Sequence, residues 1–446
     1  MSGLDNLEQS FIRLTDTLHQ KRTSNEQFTL QLSGEQSQFV RFNRAKVRQT
    51  GCVIDGNVIL TLMQNQRGAS FRFSVSGDVS QDEDMMLAAL EQLRQELPQL
   101  PADPYQVLPE GDSQSRDRHT GNILSPDQTV STLLKPLEGM DFAGLYAGGS
   151  LVRGYADSAG QQHWFQTDSF AVDYSIYTAD GQAVKGTMAG DRWDDATYLA
   201  QIADSKHQLK RLTQTPKAIP RGNYRVYLAP GAVAELIDMF SWGALSEAAF
   251  QQGSSALAAM RREHKTLSPK FTLTENFSRG MVPRFNDLGE VAPIELPLIE
   301  RGDLVNTLIS SRTAKEYDQM ANGADGSEGL RAPEVAPGNL EASNILSTLD
   351  TGLYLANLHY LNWSDRPTGR ITGMTRYACF WVENGAIVAP IENLRFDESL
   401  YRCFGDNLVD LTDFQEFIPN LGTYEQRSLG GKWLPGALIE DFTFTL

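Results

Sequence analysis

The sequence predicts an α+β fold: an N-terminal antiparallel sheet with helices, a middle α+β lobe, and a β-rich C-terminal domain with covering helices. Three observations carry this prediction. Residues 27–76 alternate apolar and polar positions in short runs, as in Phe39, Arg41 and Asn43 or Phe71, Phe73 and Val75. Separate segments place apolar residues at helical spacing, and the chain beyond residue 223 is mostly short strand-like runs punctuated by glycine.

Taken in order, MSGLDNLEQSFIRLTDTLHQ reads as an amphipathic helix and lacks the charged start, apolar run and cleavage site of a secretory signal. Turn signals at Ser33-Gly34, Asp55-Gly56-Asn57 and Ser76-Gly77-Asp78 then predict a meander of about four strands. In DEDMMLAALEQLRQEL, Met86, Leu87, Leu90, Leu93 and Leu97 fall on one helix face, with acids in the first turn where the helix dipole favours them. These elements make a first domain, residues 1–100. The stretch Leu100 to Gly121 is rich in Pro, Asp, Ser and Gly and reads as a linker.

A middle domain, residues 122–216, follows from a helical pattern around Ser131 to Met140, strand-like runs at 143–155, 162–168 and 170–178, and a helix near 194–213. The prolines and glycine of TPKAIPRGNYRVYLAPGA open the third domain, residues 223–446. Its first strand is Tyr224 to Leu228, and a long helix is expected from Pro230-Gly231 through AVAELIDMFSWGALSEAAF.

A chain of 446 residues, 41% of them apolar, is long enough to bury several cores. The balance of 39 Lys+Arg against 56 Asp+Glu leaves a formal charge of −17, which repels a phosphate backbone and argues against broad nucleic-acid binding. The basic run Arg41 to Arg48 alternates with apolar residues at strand spacing and reads as a solvated strand face. No window approaches the ~18 consecutive apolar residues of a membrane span, so no membrane association and a cytoplasmic location are expected. Cys52, Cys379 and Cys403 are few, odd in number and widely spaced, which reads as three buried thiols.

Several runs, in order, resemble the TldD/PmbA family over nearly the whole chain. They are EQSQFVRFNRAKVRQTG near the amino terminus, VYLAPGAVAELIDMFSWGALSEAAFQQGSSAL in the centre, and PLIERGDLVNTLISSRTAKEYD and YACFWVENGAIVAPIENLRF towards the carboxy terminus. The order and spacing of these runs carry the resemblance. It implies a two-branch system in which the TldD branch carries HExxxH on the central helix, two histidines holding Zn²⁺ and a glutamate activating its water. A cysteine nearer the carboxy terminus completes that metal site, and the TldE/PmbA branch partners it without the motif.

Aligned on its Pro-Gly start, the helix here places Asp238 and Met239 where the first His and the Glu would stand, and Trp242 and Gly243 around the second His. The six histidines, His19, His119, His163, His207, His264 and His359, all lie elsewhere and form no helical pair. No catalytic residue and no metal ligand is therefore assigned in this chain. Asp238 and Glu247 are too far apart along a helix to share one ion and read as surface or capping carboxylates. His264 reads as a surface residue, His359 as a satisfied core or rim histidine, and Cys379 and Cys403 as core thiols.

The string NWSDRPTGRITGMTRYACF offers Arg366, Arg370 and Arg376 for a peptide carboxylate or a partner, set against a plain structural loop. GADGSEG, residues 323–329, lacks the Lys-Ser/Thr of a phosphate cradle and reads as a mobile loop. The expectation is a subunit that binds no metal or other cofactor itself, pairs with a TldD-like zinc peptidase carrying the zinc, and meets unfolded or modified peptide as wall. Two alternatives stand beside it. One is an independent metallopeptidase using His359, Cys379 or Cys403 with a carboxylate; the other is a peptide-binding homo-oligomer without catalysis.

Overall fold

A computed structural model describes residues 3–445. Met1, Ser2 and Leu446, at the ends of the expected first helix and last domain, lie outside the described residues. Helix α1 (Gly3–Lys21) buries Leu4, Leu7, Phe11, Leu14 and Leu18, the apolar stripe that its spacing predicts. Strands β1 (Gln27–Asn43), β2 (Lys46–Gln64) and β3 (Arg67–Ser74) follow as an antiparallel meander.

The meander has three long strands where about four shorter ones were expected. Gly34 and Gly56 do not turn the chain; they face each other inside unbroken strands. A Cβ on Gly34 would stand 3.2 Å from Leu7 Cδ1, and one on Gly56 would stand 2.9 Å from Leu7 Cδ2. The glycines therefore let α1 lie close on the sheet. The turns are at Arg44-Ala45 and Asn65-Gln66, whose φ values of 52°, 49°, 53° and 59° fit tight two-residue hairpins. The basic run Arg41 to Arg48 thus wraps a hairpin end and does not line one strand face.

Ser76-Gly77-Asp78 does end the meander. Asp78 accepts hydrogen bonds from Ser80 and Gln81 N–H and caps α2 (Val79–Glu96), which buries Met86, Leu90 and Leu93. The segment read as a linker contains β4 (Gln114–His119), a mostly exposed strand in parallel register with residues 162–167. Its QSRDRH sequence carries no apolar alternation because an edge strand exposed along its length buries no face.

Helix α3 (Pro126–Leu134) starts earlier than the Ser131 expectation, since Pro126 fits the first helical turn, where no N–H partner is needed. After it come β5 (Asp141–Asp157), β6 (Gln162–Tyr177), β7 (Ala183–Gly190) and α4 (Asp195–Leu212). All seven strands form one sheet, ordered β3-β2-β1-β5-β6-β4, with β7 also on β6. β1 pairs with β2 on one side and β5 on the other almost throughout its length. Two cores sit along this sheet: Phe11, Leu14, Phe28, Leu60 and Leu90 pack under α1 and α2, and Phe42, Phe142, Phe170, Tyr174 and Ile202 under α3 and α4.

The C-terminal part begins with β8 (Gly222–Leu228) and α5 (Pro230–Ser241). The long helix expected through Phe250 is divided, because Trp242 leaves helical geometry at ψ 58° and Gly243 takes φ 75°. Short helices α6 (Glu247–Gln251), α7 (Ala258–Arg262), α8 (Ser311–Tyr317) and α9 (Ile345–Leu349) lie around two sheets. One contains β9 (Leu273–Asn276), β10 (Glu295–Glu300), β11 (Asp303–Leu304), β12 (Pro333–Val335), β18 (Glu416–Pro419) and β19 (Gly431–Leu434). The other combines β8 with β13 (Gly352–Asp365), β14 (Arg370–Glu383), β15 (Ala386–Pro390), β16 (Arg395–Ser399), β17 (Leu408–Leu411) and β20 (Ala437–Phe444).

The largest core lies among these elements, with Leu236, Ile237, Phe240, Phe271, Phe396 and Phe404 fully buried. The 323–329 loop, expected to be mobile, is tied down by the buried Glu328 carboxylate. That group accepts hydrogen bonds from Ser246 Oγ, Ala248 N–H and Ser310 N–H. Among the described residues no helix is long and apolar enough to cross a membrane.

The two sheet systems are joined by Arg427, only 5% exposed. Its guanidinium donates to Ser37 Oγ, the Gly149 carbonyl and both the carbonyl and hydroxyl of Ser169, at 2.9–3.3 Å. Its backbone N–H donates to Glu35 Oε1, and the second oxygen of that buried carboxylate has no hydrogen-bond donor among the described residues. The guanidinium makes no ion-pair contact with Glu35, but its charge lies near enough to favour that buried carboxylate, so removing it takes away compensating charge as well as four hydrogen bonds. Arg427→Met is expected to lower the unfolding free energy by about 3 kcal/mol. Adding Glu35→Gln should recover part of that loss, as measured by urea unfolding of the two variants.

Candidate functional site

Helix α5 places one face in the core and the other in a groove between the two sheet systems. Ala232, Val233, Leu236, Ile237 and Phe240 point inward; Glu235 and Asp238, one turn apart, line the groove. The opposite wall comes from β7 and α4 through Lys185, Asp204 and Gln208, and Glu416 and Lys432 complete the cavity of ≈ 440 Å³.

Asp238, at the expected first histidine position, is held by Lys432, with Nζ 3.0 Å from Oδ1. Glu235 carries a carboxyl pushed up from its ordinary range, first by burial and then by the Asp238 charge, while Lys432 and Lys185 oppose the shift. A lysine ammonium thus supplies the positive charge in this acidic corner. Met239 is 3% exposed and belongs to the core, so it faces away from the groove.

Trp242 is 51% exposed, and its carbonyl accepts a hydrogen bond from Arg366 Nη2 at 3.2 Å. Gly243 follows with positive φ, and a side chain there would collide with the same guanidinium. The four positions aligned with HExxxH therefore form no constellation: one is salt-bridged, one buried, and two build the turn under Arg366.

The three arginines singled out from the sequence lie along one hairpin and are engaged separately. Arg366 braces the Trp242 turn, Arg370 pairs with Asp397 at 2.8 Å, and Arg376 lies over the Tyr377 ring at 4.9 Å. Cys379 and Cys403 are buried, as read from the sequence, and burial pushes the Cys379 thiol up to about 11. Cys52 departs from the expectation of a buried thiol. It is exposed because β3 pairs only with the far half of β2 and leaves this half uncovered.

His264 is exposed, while His359 is half-buried against Tyr360, with ring centroids 4.0 Å apart. Glu247, read as a surface or capping carboxylate, is buried and ion-paired with Arg261 at 2.7 Å. Among the described residues, no three His, Cys, Asp or Glu side chains gather with the geometry of a metal site.

A family model described as the PmbA/TldA metallopeptidase C-terminal domain matches residues 221–446, just over half of the chain. The chain belongs to the TldD/PmbA family. Solved structures of similar fold extend the likeness to the N-terminal sheet. TldE from Thermococcus kodakarensis superposes with a TM-score of 0.77 at 14% identity, covering 100% of both chains. A putative modulator of DNA gyrase from Bacteroides thetaiotaomicron gives 0.78 at 15% identity, covering 99% of each chain. Another from Thermotoga maritima gives 0.76 at 16%, covering 98% of this chain and 100% of that one. Comparison with curated proteins finds no match.

The family resemblance points to Asp238 and leaves Lys432, Lys185 and Glu235 unmarked. No local pattern marks them, since β7, α5 and β19 meet only in the folded chain. A carboxyl with a raised folded pKa contributes most to stability below its unfolded pKa, and that contribution is lost as pH rises through the folded value. Glu235→Gln should therefore raise the melting temperature at pH 7 and leave it nearly unchanged at pH 4. Lys432→Met should lower stability at pH 7 by about 1 kcal/mol, a value limited by the exposure of Asp238.

Proposed function

We propose that this chain is the non-metal-binding, TldE/PmbA-like subunit of a heteromeric zinc peptidase acting on unfolded or modified peptides. The observation that carries the reading is the α5 turn. Where a zinc peptidase of this family has its helical ligands, this chain has a lysine-paired Asp238, a core Met239 and the Trp242-Gly243 turn. The zinc and its activated water then belong to a TldD-like partner, and this chain contributes surface to the chamber.

A surface suited to that role lies on the N-terminal sheet. A cleft of ≈ 1010 Å³ opens over β1, β2, β5 and β6, lined by Phe39, Arg41, Leu145 and Asp173 and faced by Thr423 and Glu425 across it. Its mixed apolar and charged lining accommodates an extended peptide of varied sequence without selecting one side chain. A cytoplasmic setting is part of this reading. Over independent catalysis, it is favoured by the burial of both candidate thiol ligands, Cys379 and Cys403, which holds them protonated.

Co-expression with a TldD-like protein, followed by size analysis, metal quantification and peptide digestion, tests the proposal. The expected outcome is a mixed complex whose zinc and activity are lost when the partner's HExxxH is mutated. Stoichiometric zinc in this chain alone, with chelator-sensitive peptidase activity, would overturn it. So would failure to form any mixed complex.

A further inference from the structure

A second inter-lobe cavity, of ≈ 390 Å³, lies between the α1/α2 half of the N-terminal sheet and the segment Val282–Asp287. The segment is seated on the sheet by Gln31, whose Nε2 donates to the Asp287 carbonyl at 2.8 Å. Nearby, Gly289 approaches the Tyr155 ring so closely that a Cβ would overlap it. Both walls of the crevice are thus fixed by contacts independent of its charged groups.

Those charged groups are left open. Arg153, on β5, donates only to the Val152 carbonyl at 2.8 Å, and no carboxylate lies within ion-pairing distance of it among the described residues. Burial pulls its guanidinium down to about 10, with Glu35 and Asp287 opposing. Asp287, exposed at the rim of the crevice, accepts no hydrogen bond on its carboxylate among the described residues. Asp325 accepts from Ser327 through one oxygen, while Arg331 is occupied by the Phe285, Arg284 and Gly323 carbonyls. Among the described residues, the cavity therefore offers Arg153 without an ion-pair partner and acidic groups beside it, with Ile59, Val282, Leu330 and Leu429 as apolar wall.

An anion alone would meet Asp287 and Asp325, and a cation alone would meet Arg153 and Arg331. A ligand with both charges satisfies both sets, and the volume falls within the range of small-molecule sites, roughly 300–1,000 Å³. We propose that this crevice binds a small zwitterion, a free α-amino acid or a dipeptide, with its carboxylate on Arg153 and its ammonium on Asp287 and Asp325. Charge-assisted pairing at both ends supplies recognition, and the apolar wall takes a hydrocarbon side chain. The site is separate from the α5 groove and does not depend on the subunit reading above.

Calorimetric titration of the full chain with L-leucine and with glycyl-L-leucine tests this, and the two arms separate a single amino acid from a dipeptide. Isopentylamine and 4-methylpentanoate, each keeping the hydrocarbon arm and one charge, serve as the comparison. At least one zwitterion should bind saturably and at least tenfold more tightly than either singly charged compound. Arg153→Gln and Asp287→Asn should each weaken it at least tenfold. No saturable binding by either zwitterion, equal binding by a singly charged compound, or unchanged affinity in both folded variants would overturn the proposal. Should a variant not fold, the selectivity of the unmodified chain decides the matter.

Discussion

Strand β1 is hydrogen bonded along almost its whole length to β2 on one side and β5 on the other, and the N-terminal half of the molecule is organised by that double pairing. The strand is long enough to carry two separate cores in succession. Near its start, Phe28, Leu30 and Leu32 pack under α1 and α2; towards its end, Val40 and Phe42 pack under α3 and α4. Because side chains alternate across a strand, a slip of one residue would turn both sets away from their helices together. Register is therefore specified twice, and the middle of the strand, Glu35 to Ser37, is left to meet the other half of the protein.

Arg427 makes that meeting specific. Its five possible N–H donors in a planar fork reach groups on β1, β5 and β6 at once, which no flexible ammonium could match. The α5 groove, the Val282–Asp287 crevice and the open sheet cleft all take lining residues from both halves that Arg427 holds together. A groove wall drawn from Lys185 and Asp204 on one side and Asp238 and Lys432 on the other exists only when the lobes are docked.

Glycine serves two purposes that local sequence does not separate. At Gly34 and Gly56 the missing Cβ admits Leu7 and brings a helix onto a sheet. At Gly243 the positive φ ends α5 and lets the chain turn beneath Arg366. Turn composition looks the same in both cases, so the sequence reading placed turns within β1 and β2 and extended α5 too far. The same limit applies to β4, whose polar sequence gives no strand signal because an edge strand buries no face.

The sequence by itself determined the α+β class, the amphipathic helices α1 and α2, the family, and the replacement of HExxxH by Asp238, Met239, Trp242 and Gly243. The class and the helices are properties of residue type and short-range periodicity, which a linear chain displays directly; the family and the replaced motif follow from a resemblance carried by several runs in order. Tertiary structure alone decided that residues 27–74 and 114–190 share one sheet, that Lys432 neutralises Asp238, and that Arg153 and Asp287 face one crevice unpaired. Each of these joins groups distant along the chain, and charge complementarity over such separations leaves no periodic trace for a sequence reading to find.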